Sequence, residues 1–235
     1  MKQTSIFDII SPVMIGPSSS HTAGAVRLGL LAKNVFNAAP EKVVFKLYNS
    51  YAQTGKGHGT EKGLLAGVLG LSVDDRRIKN IFEDNIAKQV DYSFEYYEDF
   101  KKHPNAVDFI FEKGSRKMEI YGESVGAGEV AVRKIDDFTV KLTGKYNTLM
   151  LVYEDIPGMI SKVTALIQEK NINIASLHCD RYAKGEEASM CICIDGDIDA
   201  DVILLYSREE NFDKYNDKLY NDIKRLYIQI DKYYL

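Results

Sequence analysis

The chain has 235 residues, 45% of them hydrophobic, with 30 Lys and Arg set against 34 Asp and Glu. That is enough apolar material for one large or two small cores. The net charge of −4 comes without a Lys/Arg block, which argues against nucleic acid as a partner. No apolar run approaches the roughly 20 residues of a membrane helix, and the first residues lack the shape of a secretory signal, so a cytoplasmic protein with no membrane association is expected.

In chain order, the first informative stretch is Gly16-Pro17-Ser18-Ser19-Ser20-His21-Thr22. Apolar residues then recur at helical spacing (Ala23, Val26, Leu30, Leu31, Val35), which predicts a helix starting at Ser20–Thr22. The free N–H groups and partial positive charge of such a terminus attract an anion, and His21 adds a proton carrier active near neutrality. The same run also reads as a plain helix cap. A strand is predicted over Val43–Tyr48, followed by a polar, Gly-rich loop over Gly55–Thr60. Thr60 is expected to cap a second helix over Glu61–Leu71, and Asp74–Gln89 reads as a third, charged helix.

Beyond that the texture turns to strands: Tyr92–Tyr97, Val107–Phe111, Lys117–Tyr121, Glu129–Ile135 and Phe138–Leu142. Turns are predicted at Lys113-Gly114-Ser115 and around Asp136-Asp137. Gly122–Gly128 is Gly-rich but lies between strands, so it lacks the strand-to-helix setting of a nucleotide loop and reads as a tight crossover. The later segments run Thr148–Tyr153 (strand), Met159–Lys170 (helix), Ile172–Arg181 (strand), Ala188–Ile194 (strand) and a helical stretch from Asp199. The order is β-α-β-β-α, one strand short of a βαββαβ sandwich, with Tyr227–Ile230 the candidate for the missing strand. The fold class is α+β, divided at residues 1–145 and 146–235.

Two histidines stand at helix starts with hydroxyl neighbours, His21 and His58, and each can serve as acid or base. His103 precedes Pro104-Asn105 and reads as a turn residue; His178 lies in a strand and reads as core or interface. Cys179, Cys191 and Cys193 imply no disulfide framework, and Cys191-Ile192-Cys193 reads as two buried thiols on one strand face, not a metal site. Asp155-Ile156-Pro157-Gly158 sits at a strand–helix junction. Gly158 there exposes the Met159 and Ile160 amides to a carboxylate, and Asn173 of a neighbouring copy could meet the ligand's amino group. An ordinary Pro-Gly connector is the other reading.

These residues resemble the β subunit of bacterial iron–sulfur-dependent L-serine dehydratase. Ser5–Ile10 followed by Gly16–Thr22 is similar to that family's first signature, and Gly57-His58-Gly59-Thr60-Glu61-Lys62 with Leu64–Gly67 to its second, where Asp is usual at Glu61. His103-Pro104-Asn105 matches the third. The second region resembles an ACT domain, and the first also resembles the allosteric substrate-binding domain of phosphoglycerate dehydrogenases. The likeness runs from about residue 4 to 200; the tail departs from it.

The resemblance implies conversion of L-serine to pyruvate and ammonia by elimination of water. The 4Fe–4S cluster would be ligated by a separate α subunit and polarise the leaving hydroxyl. His21 and His58 would be catalytic. Ser18, Ser19, Ser20, Thr22, Gly59 and Thr60 would bind substrate. Asp155, Gly158, Met159, Ile160 and Asn173 would form a regulatory ligand site in a homodimer joined through the ACT domain. The alternative is a non-catalytic amino-acid sensor, which would need anion donors but not two bases.

Overall fold

A computed structural model describes residues 14–195 and, as backbone, 223–229. The chain divides into two compact units that meet in the Asp136–Asp137 turn. The change of texture near Lys145 falls a few residues later, because the strand after the turn belongs to the second unit.

In the first unit a π-helical turn, Ser19–Ala23, runs straight into helix α1, Gly24–Phe36, which ends on Asn37 in the left-handed conformation. Strand β1 (Lys42–Asn49) leads into helix α2 (Ser50–His58), and Gly59 separates α2 from helix α3 (Thr60–Val68). The expected loop over Gly55–Thr60 is therefore mostly helix. Two 3-10 turns, Arg76–Asn80 and Asn85–Gln89, replace the expected helix over Asp74–Gln89. Each is capped by an aspartate, Asp75 or Asp84, whose carboxylate accepts the amide two residues on. Those side-chain bonds compete with a continuous helix.

Strands β2 (Asp91–Tyr97), β3 (Asn105–Lys113), β4 (Arg116–Gly126) and β5 (Glu129–Ile135) complete the unit in the order β2-β1-β3-β4-β5. Only β1 and β2 run parallel, and the crossover that such a pair requires is the segment holding α2 and α3. The β3–β4 turn falls at Gly114, as expected; the Gly-rich segment after Tyr121 finishes β4 and turns directly into β5, so it is a hairpin and not a crossover. Helix α1 packs on β4 and β5, and α2 on β1. Buried Leu28, Phe36, Phe45, Phe109, Phe111 and Ile120 fill the space between, with Phe36 stacked on Phe111.

In the second unit, strand β6 (Phe138–Leu142) precedes β7 (Asn147–Glu154), helix α4 (Met159–Glu169), β8 (Asn173–Arg181), β9 (Glu187–Asp195) and β10 (Ile223–Gln229). The last four strands pair antiparallel in the order β10-β7-β9-β8. Leu149, Leu151, Met190, Ile192 and Ile194 on one sheet face bury Met159, Val163 and Ile167 of α4. The final strand takes in the expected Tyr227–Gln229; Ile230 and the helical stretch from Asp199 lie outside the described residues. Cys191 and Cys193 are buried, on the opposite face of β9 from Ile192.

Candidate active site

The site forms where the start of α1 meets the α2–α3 junction. The Ser18 hydroxyl accepts from the His21 amide at 3.1 Å, so Ser18 is the cap and the helical turn begins one residue before the expected start. The Thr22 amide donates to Ser18 O. Among the described residues the Ser19 and Ser20 amides have no partner, which leaves two donors at the turn for an anion. The Ser20 carbonyl is held from behind by Tyr51 Oη and Ser124 Oγ, both at 2.9 Å.

Gly59 breaks the helix because it takes φ +76, the left-handed conformation that glycine adopts without Cβ strain. His58 therefore ends one helix instead of starting another, a correction to the sequence reading. Thr22 explains why the junction lies against α1: its hydroxyl donates to the His58 carbonyl at 2.7 Å. Thr22 is 1% exposed and that hydroxyl is committed, so it ties the site together and does not face a substrate. Thr60 is wholly buried, and its hydroxyl neither caps α3 nor has any partner among the described residues. Gly59 contributes its backbone turn. Of the expected substrate-binding residues, Ser18, Ser19 and Ser20 remain at the surface of the site.

The two imidazoles lie 5.3 Å apart, centre to centre, and His21 also meets the Tyr51 ring edge-on at 5.3 Å. Their hydrogen bonds set the tautomers. His58 Nδ1 lies 3.0 Å from the Thr54 carbonyl, which can only accept, so Nδ1 carries the proton and Nε2 keeps its lone pair. Thr54 Oγ1 spends its own proton on the Ser50 carbonyl at 2.8 Å and must accept from His21 Nε2 at 3.1 Å. Ser50 Oγ stands 3.2 Å from the same nitrogen. His21 thus carries its proton on Nε2 and leaves Nδ1 free when neutral. Ser50, Thr54 and Tyr51 were not among the expected site residues. The spacing 50, 54, 58 is one face of a helix and would have revealed two of them, had the glycines not made the segment read as a loop.

Burial, and then the neighbouring His58, hold the His21 pKa below its ordinary 6.5. Folded His21 thus binds a proton less readily than the unfolded chain does. Its contribution to stability is present above the ordinary value and lost as the pH falls through the folded one. His58→Gln is expected to raise the His21 titration midpoint part of the way back, since burial remains; imidazole NMR on the full chain measures this.

The third motif residue, His103, is a turn residue as expected: its Nδ1 accepts from the Asn105 amide. In the second unit, Asp155 accepts from Arg181 and the Gly185 amide, while Gly158, at φ +90, precedes α4. Met159 is buried and Ile160 exposed. Asn173 donates to Asp195 at the far end of α4, about 16 Å away along the helix, so within one chain these residues do not converge.

The described residues do not suit an iron–sulfur cluster. Cys191 and Cys193 are buried in the sheet, with Cys193 Sγ against Thr148, and no three His, Cys, Asp or Glu side chains are grouped to hold a metal. No helix among the described residues is long and apolar enough to cross a membrane.

A mixed α+β unit carrying two paired imidazoles beside an anion-receptive helix start, followed by an ACT-like domain, defines the class. Residues 5–89 match the family model described as serine dehydratase beta chain, and residues 149–206 that of the AHAS small subunit-like ACT domain. The chain is 36% identical to a probable L-serine dehydratase, beta chain, of Bacillus subtilis, covering 86% of this chain and 92% of the relative. It is 34% identical to an L-serine dehydratase, beta chain, of Peptoniphilus asaccharolyticus, covering 83% and 89%. The chain belongs to the serine dehydratase beta chain family. A shorter match, 39% identical, to L-serine dehydratase 2 of Escherichia coli spans 33% of this chain but 18% of that longer relative.

Proposed function

We propose that this chain is the β subunit of an L-serine dehydratase, eliminating water from L-serine to yield pyruvate and ammonia together with a separate α subunit that carries the 4Fe–4S cluster. The observation that carries this reading is the pairing of His21 and His58 at 5.3 Å beside the Ser-capped start of a helical turn. The Ser19 and Ser20 amides and hydroxyls receive the serine carboxylate. His58, with Nδ1 fixed on Thr54 and Nε2 free, takes the Cα proton. His21, kept neutral by burial, offers Nδ1 to the substrate's ammonium or hydroxyl and orients it. Loss of hydroxide leaves aminoacrylate, which tautomerises to an imine and hydrolyses.

A second chain is supported by the name "beta chain" on the relatives and by the extra length of the Escherichia coli relative beyond the matched part. The first unit would serve as a substrate-binding domain like that of phosphoglycerate dehydrogenases. The ACT-like unit would pair with its copy and place Asn173 of one protomer against Asp155 and Gly158 of the other. The assembly is taken to be cytoplasmic.

The test is reconstitution. The chain alone is expected to release no pyruvate from serine. Prepared anaerobically with its cluster-bearing partner it is expected to do so. Serine binding without turnover in that preparation would overturn the enzyme reading in favour of a sensor.

A further inference from the structure

Asn49 closes β1 with φ +51 and ψ −117, the backbone of the first central residue of a type II′ turn, a place that glycine dominates. An asparagine held there stores strain that its surroundings must offset. The offset is visible. Asn49 Nδ2 donates to the carbonyls of Asp99 (2.8 Å), Lys102 (3.2 Å) and His103 (3.4 Å), and its Oδ1 accepts the Asp99 amide at 2.9 Å. Three carbonyls on one side and an amide on the other fix the orientation of the side chain. The Tyr51 amide adds a bond to Pro104 O, so the loop over 99–104 is sewn to the β1–α2 corner.

The next two residues are those that hold His21. Ser50 Oγ faces His21 Nε2, and Tyr51 packs its ring on the imidazole while gripping the Ser20 carbonyl. The direction in which α2 leaves the corner depends on the torsions of Asn49. We infer that Asn49 is a positioning residue: its left-handed backbone torsions set the corner that aims Ser50 and Tyr51 at His21, and its side-chain grip on the 99–103 loop is what lets a non-glycine residue hold them. It touches neither imidazole and acts through its neighbours. The inference rests on the dehydratase reading for its importance, but not for its test.

That test uses the full chain, with no partner, and two variants. In Asn49→Ala the bonds are lost and the unusual torsions become costly, so the corner relaxes. The His21 imidazole signals and titration midpoint are then expected to move, because Ser50 and Tyr51, which contact the ring and help to bury it, are displaced. Asn49→Gly accepts the torsions freely. It is expected to leave His21 titrating as in the parent, while the Asp99 amide exchanges about tenfold faster for want of its partner. An unmoved His21 in Asn49→Ala, a His21 moved as far by glycine as by alanine, or an Asp99 amide equally protected in Asn49→Gly would each overturn the inference. If the alanine variant does not fold, a His21 displaced from its parental signals in Asn49→Gly overturns the inference by itself. Failure of the parent chain to turn over serine with its partner would end the dehydratase reading and leave these spectra unaffected.

Discussion

His58→Ala in the reconstituted enzyme is expected to lower serine turnover at least about a hundredfold, the usual contribution of a positioned acid or base. The ring is exposed and its single side-chain bond goes to the Thr54 carbonyl, so its removal leaves no buried group unsatisfied. The backbone tie to the site survives as well, because Thr22 grips the His58 carbonyl and not the ring. The loss should fall on kcat, with KM little changed, because the lost interaction belongs to the transition state. His21→Ala is also expected to cost at least about a hundredfold, with KM rising too, since that ring is assigned to orienting substrate. It leaves the cap in place, because Ser18 bonds the His21 amide. The measurement is pyruvate release under anaerobic conditions, beside circular dichroism to show unchanged folds. Near-parental activity in both variants would remove the catalytic assignment.

Strands with clean alternation were legible in the sequence. In β1, Val43, Phe45 and Leu47 face the core, and the β3–β4 hairpin falls where Gly114 parts the apolar runs. The α2 segment was not legible, because Gly55, Gly57 and Gly59 suggest a loop. Two of those glycines serve the fold: Gly59 takes the left-handed turn, and at Gly55 an added Cβ would sit 3.1 Å from Thr60 Cβ. Tertiary packing overrides helix propensity there. The site followed the same division. His21, Ser19 and Ser20 were visible as a motif with a mechanism, whereas Ser50, Tyr51 and Thr54 lie in the first half of α2, between the expected strand and the expected loop, where no element was assigned. That Thr22 and Thr60 are turned inward is a matter of packing, which a row of hydroxyls does not disclose.

The meeting of the two histidines also depends on how closely two helices approach, and this supplies the largest stability effect expected. Gly67→Ala should lower the stability of the chain by about 2–3 kcal/mol and its Tm by roughly 5–10 °C. Helix α3 crosses α1 through Gly63 and Gly67 on one side and Gly29 on the other. A Cβ on Gly67 would fall well inside contact distance of the Val26 carbonyl oxygen, 2.8 Å from the Leu30 nitrogen and 2.9 Å from Gly29 Cα. These neighbours are backbone and cannot rotate away, so the helices must part. Because α1 begins with the turn carrying His21 and α3 follows directly on His58, the separation is felt at the site, where an ångström of misplacement can cost about a hundredfold in rate. Gly57→Ala is the control. It lies in helix α2 with nothing within 4 Å of an added Cβ, and is expected to gain about 0.5–1 kcal/mol from the restricted unfolded chain. Thermal unfolding of the two variants beside the parent measures both signs. A Gly67→Ala chain as stable as Gly57→Ala would show that the α1–α3 contact is not the close backbone packing that holds His21 against His58.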